Sequence, residues 1–153
     1  MTTLAANRRP VVPVAAGTGV VALLLLLVGG YLETPFRSGE DGWGLSAGHG
    51  LLEVPVAVGF VAAGVAVVFG VVVRRALLTP PVRTARTALI VTLVGVPAVL
   101  VFWTGLPVVL ASAGAYLALD ARRRHGAVPA TAVAALILSA LIVAEAVRLA
   151  FTG

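Results

Sequence analysis

The apolar stretch Thr87–Leu119, TALIVTLVGVPAVLVFWTGLPVVLASAGAYLAL, decides how this chain is threaded. A helix needs about 20 residues to cross the hydrocarbon core of a bilayer, so this stretch is too long for one crossing. The motif WTGLP, Trp103–Pro107, interrupts it with a glycine and a proline, the residues that most strongly mark turns. The stretch therefore predicts two spans, about 87–104 and 106–119, with Pro97 as a kink within the first.

The composition of the whole chain is that of a membrane protein. Of its 153 residues, 60% are hydrophobic and 11% are charged, and the mean hydropathy is +1.10. A soluble domain carries about 25% charged residues, so the composition excludes a soluble fold. The absence of cysteine excludes disulfides and thiolate metal sites. The net charge of +5 comes from arginines clustered between apolar runs, so we do not expect nucleic-acid binding.

Three further apolar runs predict three more crossings. They extend over about residues 13–32, 51–73 and 130–151, and each is long enough to span the hydrocarbon core. Segment 33–50 separates the first two runs and is rich in glycine and charged residues, which is typical of an aqueous loop. The predicted fold is an all-α integral membrane bundle of five transmembrane helices, with residues 1–153 forming a single transmembrane domain.

The positions of the arginines predict the orientation of the bundle. Cytoplasmic loops of membrane proteins carry an excess of basic residues, and these residues set the topology. Five crossings place nine of the eleven arginines on one side: Arg8, Arg9, Arg74, Arg75, Arg83, Arg86, Arg122, Arg123 and Arg124. We therefore expect a multi-pass protein of a bacterial cell membrane, with a cytoplasmic N-terminus and an extracytoplasmic C-terminus. A four-span alternative stays open, although it would move the last three arginines to the other side.

Few ionisable residues lie within the predicted spans, and these are the candidates for a binding site. A charged group inside the hydrocarbon region is costly and is therefore often functional. Glu53 lies in the first turns of the second span, His49 precedes it by four residues, and Glu145 and Arg148 lie near the outer end of the fifth span. The topology places all four at the outer leaflet, where they would bind a small ligand or ion. Alternatively, Glu145 and Arg148 only neutralise each other across one helical turn.

Other chemistry at this cluster has weaker support from the sequence. His49 and Glu53, with Glu40 and Asp41, would offer nitrogen and carboxylate ligands to a divalent metal, but one histidine makes a poor set. No hydroxyl, histidine and carboxylate stand in an arrangement typical of hydrolases, so we expect no catalytic residue and no enzyme activity. No cofactor is expected either, since the second histidine, His125, belongs to the opposite loop and a bis-histidine haem site is disfavoured.

Small side chains at helical spacing predict packing faces in the second and fifth spans. Such residues let helices approach closely in lipid, where no hydrophobic effect drives their association. They are Gly59, Ala63, Ala66 and Gly70 in the second span, and Thr131, Ala135, Ser139, Ala140 and Ala144 in the fifth. The expected partners are the lipid bilayer and either a larger membrane complex or a second copy of the chain. We expect a non-enzymatic accessory or scaffold subunit, with a small-molecule or ion binding or transport component as the alternative.

Overall fold

The computed structural model of the protein describes residues 11–33, 44–45, 53–125 and 129–152. Within these ranges the chain forms a bundle of five long helices, which confirms the predicted all-α fold. Two-residue strands pair antiparallel beyond the end of the first helix. In chain order the elements are α1 (Val11–Tyr31), β1 (Leu32–Glu33), β2 (Gly44–Leu45), α2 (Glu53–Leu77), α3 (Pro81–Thr104), α4 (Leu106–His125) and α5 (Ala130–Thr152).

Four of the described helices are long and apolar enough to cross a membrane: α1, α2, α3 and α5. Their length and apolar character indicate a membrane-embedded protein, in agreement with the composition. Helix α4 is not among the four, because its last two turns carry Asp120 and the run Arg122–Arg124. Whether α4 makes a fifth crossing therefore stays a prediction.

Helix α4 is the central helix of the bundle. It packs most extensively against α3 and α5, and it also contacts α1 and α2. Its buried residues occur along most of its length: Pro107, Val108, Val109, Ala111, Ala113, Gly114, Tyr116, Leu117, Ala118 and Ala121. Many of them are alanines, and small side chains allow the close approach that helix association in lipid requires. Neighbouring helices therefore surround much of a helix that is less apolar than they are.

The connection between α3 and α4 lies at the predicted turn. Helix α3 changes after Ala98 from α-helix to a 3-10 segment, Val99–Thr104, in which Val101 leaves helical geometry at φ −118° and ψ 42°. Gly105 follows with φ 71°, and a Cβ at this position would lie 3.1 Å from the carbonyl oxygen of Ala22. Glycine is the residue that adopts this backbone conformation freely and also permits so close an approach. Gly105 is buried against α1, whereas Trp103 at the start of the turn is exposed.

The helices extend beyond the predicted span ends and include arginines that the prediction leaves outside the spans. Helix α2 continues to Leu77 and α3 begins at Pro81, so residues 78–80 alone connect them. Helix α4 continues to His125, beyond the predicted span end at Leu119. The described arginines that lie outside the predicted spans on the predicted cytoplasmic side are therefore on helices. Arg8 and Arg9 lie outside the described residues.

A π-helical segment, Val68–Val73, interrupts α2. Hydrogen bonds from residue i to i+5 widen the helix, and such segments are rare and usually short. The adjacent residues Val68 and Phe69 are both buried, as is Val73 at the other end of the segment. The sequence predicts an uninterrupted helix at this place, because nearly every position of the span is apolar and no change of periodicity marks the π turns.

Two buried hydroxyl groups join α3 to α5 in the interior of the bundle. Thr92 Oγ1 donates to the carbonyl oxygen of Ala88 at 2.8 Å and lies 3.3 Å from Ser139 Oγ. Both side chains are buried, and Thr92 is fully enclosed. Gly114 of α4 provides the necessary space, since a Cβ at this position would overlap Thr92 Oγ1. Helices α3, α4 and α5 therefore meet at one point, where the size of each residue matters.

Candidate functional site

The predicted outer pair on α5 forms a two-point ion pair. Arg148 Nη2 lies 2.6 Å from Glu145 Oε1, and Arg148 Nε donates to Glu145 Oε2 at 2.9 Å. The two side chains are 58% and 43% exposed, and the neighbouring Leu141 and Ala144 on this face are exposed as well. The pair therefore points away from the bundle interior. Each charge meets its counterpart on the same helix, as the spacing of three residues predicts.

The structure does not join the other predicted site residues to this pair. Glu53 is the first residue of α2, is exposed, and has no hydrogen bond or ion pair to α5 within the described residues. Its helix packs against α1 and α4, whereas α5 packs mainly against α3 and α4 and also contacts α1. His49 lies outside the described residues. The described residues contain no group of three or more histidine, aspartate or glutamate side chains able to hold a metal ion.

A double replacement tests whether the α5 pair is only a neutralised ion pair. In the Glu145→Leu/Arg148→Leu variant, the melting temperature should stay the same or rise, because apolar side chains replace two charges on an otherwise apolar exposed face. Thermal unfolding of the purified protein in nanodiscs measures this change. The single variant Glu145→Leu serves as the control and should melt lower, since it leaves Arg148 unpaired. A double variant that melts far below the wild type would show that the pair has another role.

A second polar cluster, which we call the Arg124 cluster, lies where α4 ends beside the α2–α3 connection. Arg124 Nη1 donates to the carbonyl oxygen of Thr79 at 3.1 Å and to that of Leu77 at 3.4 Å. Arg124 Nη2 donates to Thr84 Oγ1 at 2.9 Å and lies 2.5 Å from Asp120 Oδ2. One guanidinium thus contacts the end of α2, the start of α3 and the preceding turn of its own helix.

Threonine hydroxyl groups complete the Arg124 cluster. Thr84 Oγ1 donates to the carbonyl oxygen of Ala76 at 2.9 Å, and Thr79 Oγ1 donates to the same oxygen at 2.7 Å. Thr84 is fully buried, so its hydroxyl needs these partners. Asp120 Oδ2 is buried and is held by charge attraction to Arg124 without a well-aligned hydrogen bond. The guanidinium also compensates the negative end of the α2 dipole.

Sequence reasoning assigned Arg124 to the residues that set the orientation and did not select Asp120, Thr79 or Thr84. The spacing of Asp120 and Arg124, at i and i+4, is a recognisable signal for an ion pair on a helix. The contacts to Thr79 and Thr84 join residues 45 and 40 positions apart, and no local pattern reports such contacts. The chemistry of this cluster is structural: it ties helix ends together.

The other described arginines of the predicted topology group are exposed and lie close to the same end of the bundle. They are Arg74 and Arg75 in the last turn of α2, Arg83 and Arg86 in the first turns of α3, and Arg122 and Arg123 next to the Arg124 cluster. We call this end, where the α2–α3 connection lies, the arginine end. This clustering is compatible with the predicted orientation, which assigns these arginines to one side of the membrane.

Comparisons with known proteins assign no role to either polar cluster. The chain matches no protein-family model, no curated protein and no solved structure at a significant level.

Proposed function

We propose that the chain is a non-enzymatic subunit of the cell membrane that serves as an accessory or scaffold for a second membrane polypeptide. One observation carries this proposal: α2 presents an uncovered face of small residues. Gly59, Ala63, Ala66 and Gly70 follow one another at intervals of four, three and four residues, so they share one side of the helix. All four are exposed, and no atom of another part of the chain lies within 4 Å of a Cβ built at Gly59 or Gly70.

Larger apolar side chains border this face along one side of the helix. Val56 is 74% exposed, Phe60 49% and Val67 58%, so the small residues form a shallow recess beside them. A helix of another polypeptide would fit against such a recess, since small residues on one helix admit the side chains of its neighbour. A surface that contacted only lipid would gain nothing from the missing side chains.

The small residues of α5 provide a contrast within the same chain. Ala135 and Ser139 of the predicted face are buried against neighbouring helices, together with Ala132, Ala146 and Ala150. Thr131 is half-buried, while Ala140 and Ala144 are exposed. Part of the predicted small face of α5 is therefore used inside the bundle. Gly59, Ala63, Ala66 and Gly70 of α2 have no such use within the described residues, which favours a partner outside the chain.

Substitutions on the α2 face test this role. Native mass spectrometry of nanodiscs formed directly from the cell's own membrane should detect a co-purifying polypeptide with the wild type. We expect the Ala63→Leu/Ala66→Leu variant to lose this polypeptide. The bundle itself should stay folded, because both side chains point away from it. The matched control carries Ala16→Leu/Ala134→Leu, at exposed alanines of α1 and α5, and should keep the partner. A partner retained equally by both variants, or no partner with the wild type, contradicts the proposal.

The proposal includes five crossings, with a cytoplasmic N-terminus and an extracytoplasmic C-terminus. The central position of α4 and the arginines at one end of the bundle support this topology. Reporter tags placed at Ala127 and at Gly153 should therefore be found on opposite sides of the membrane in a protease-accessibility or labelling assay. Tags on the same side would show that the segment between them does not cross the membrane once. This result would overturn the five-span topology.

The alternative, a small-molecule or ion binding or transport component at the outer cluster, has less geometric support. Its strongest feature is a charged pair, Glu145 and Arg148, exposed on an otherwise apolar helix face. A site needs several groups that converge, and Glu53 has no polar contact with this pair. If such a site exists, Glu145→Gln should remove a small bound mass from the spectrum of the same nanodiscs while the bundle remains folded.

A further inference from the structure

The arginine end of the bundle carries a concentration of unbalanced positive charge. We define the arginine belt as the six exposed arginines of this end: Arg74, Arg75, Arg83, Arg86, Arg122 and Arg123. The contacts from Arg124 to the carbonyl oxygens of Leu77 and Thr79 place the ends of α2 and α4 and the start of α3 beside one another. The belt therefore surrounds the meeting point of three helix ends.

No described carboxylate is left to balance the belt. Asp120 is the acidic residue of this end within the described ranges, and it forms an ion pair with Arg124. Glu33 of β1 and Glu53 at the start of α2 belong to the opposite end, and Glu145 is paired with Arg148 far along α5. Six guanidinium groups thus have no ion-pair partner in the described part of the chain. Their combined field favours binding of anions.

The belt borders an apolar surface. Leu78 in the α2–α3 connection is 78% exposed, Val71 is 45% exposed and Val82 is 47% exposed, and all three are close in sequence to belt arginines. A partner that matches this surface has an anionic group directly next to hydrocarbon. A phospholipid has this arrangement, since its phosphate lies just above the acyl chains. A soluble polyanion would meet the charges but leave the apolar side chains without a partner.

The Arg124 cluster holds the belt in one arrangement. Arg124 is hydrogen-bonded to Thr84 of α3 and to the Thr79 carbonyl of the connection, which fixes the helix ends that carry the other arginines. Preorganised groups lose less conformational entropy when a ligand binds. Guanidinium groups also donate two parallel hydrogen bonds to phosphate oxygens.

We propose that the arginine belt is a binding surface for the headgroups of anionic phospholipids, which stabilise the folded bundle from the arginine end. This proposal does not depend on the proposed scaffold function. The lipid contacts the belt with its phosphate oxygens and the adjoining leucine and valine side chains with its acyl chains.

The test compares thermal unfolding of the purified full chain in two kinds of nanodisc. One contains phosphatidylcholine alone, and the other contains phosphatidylcholine mixed with phosphatidylglycerol. We expect a higher melting temperature in the anionic nanodiscs, and this shift should shrink as salt is added, because salt screens exposed charges. If inorganic phosphate added to the phosphatidylcholine nanodiscs reproduces the full shift, the surface binds free anions and the lipid assignment is wrong.

Paired substitutions locate the effect on the belt. Arg74→Gln/Arg75→Gln, Arg83→Gln/Arg86→Gln and Arg122→Gln/Arg123→Gln should each remove roughly a third of the anionic-lipid shift, since each takes two of the basic groups. The charge-preserving control Arg122→Lys/Arg123→Lys should retain most of it. Melting temperatures in phosphatidylcholine alone report any loss of fold separately. If all three glutamine pairs keep the full shift, the proposal is overturned.

Discussion

Replacing Gly114 with alanine is expected to lower the free energy of unfolding by about 1–3 kcal/mol, the cost typical of overpacking a closely packed interior. A methyl group at this position would overlap Thr92 Oγ1 and lie 3.2 Å from the carbonyl oxygen of Ala88. Thr92 has little room to move, because it is fully buried and its hydroxyl contacts Ser139 on a third helix. The overlap therefore has to be relieved by separating α3 from α4. Unfolding by SDS in mixed micelles measures the change.

Gly17→Ala provides the matched control for this prediction. Gly17 is an exposed residue within α1, and a Cβ there would have no neighbour within 4 Å. In this variant alanine should be neutral or should stabilise the helix by up to about 1 kcal/mol, the difference in helix propensity. Adding Thr92→Ala to Gly114→Ala should recover part of the lost stability, because it removes the overlapping hydroxyl. Equal effects of Gly114→Ala and Gly17→Ala would show that α3 and α4 do not pack in this way.

Replacing Arg124 with glutamine is expected to have the second large effect. The free energy of unfolding should fall by about 1.5–3 kcal/mol, the contribution typical of hydrogen bonds to a charged group. The substitution leaves the Asp120 carboxylate, 21% exposed, without its counter-charge. It also removes the arginine donor from the carbonyl oxygens of Leu77 and Thr79 and from the hydroxyl of Thr84. The same SDS titration measures the loss. Lysine should not replace arginine fully, because one ammonium group cannot reproduce the forked arrangement of the guanidinium.

Two comparisons separate this cluster from a general effect of charge. Arg123 precedes Arg124 and is exposed. Arg123→Gln removes the same charge and should change the free energy of unfolding by less than about 0.5 kcal/mol. The double variant Asp120→Asn/Arg124→Gln should lose less stability than Arg124→Gln alone, since no unpaired carboxylate remains. If Arg123→Gln and Arg124→Gln lose equal stability, the contacts of Arg124 contribute nothing specific.

The architecture could be predicted from the sequence because the deciding signals are local. Uncharged runs of sufficient length predict helices, and the glycine and proline between Trp103 and Pro107 predict the turn that separates α3 from α4. The ion pair of Glu145 with Arg148 is also local, since residues three apart meet on a helix. These features need no knowledge of which helices are neighbours.

Features that depend on the arrangement of the helices could not be predicted in the same way. Span two and span five both contain regularly spaced small residues, yet α5 buries Ala135 and Ser139 of its predicted face and α2 leaves all four of its own exposed. Glu53 and Arg148 are both near the predicted outer surface, but the order of the helices keeps them without polar contact. The contact of Arg124 with Thr84 likewise requires that α4 return to the start of α3.

The central position of α4 has a consequence for biosynthesis. A nascent helix leaves the translocon for lipid according to its own apolarity, and aspartate and arginine oppose this transfer. Helix α4, with charges in its last turns, is the poorest substrate for that step among the five described helices. Part of its buried surface gains its contacts only after α5 has been synthesised, because α5 covers that part. Ribosomes that stop before Ala130 would therefore leave an incompletely enclosed helix, the kind of intermediate that membrane proteases remove.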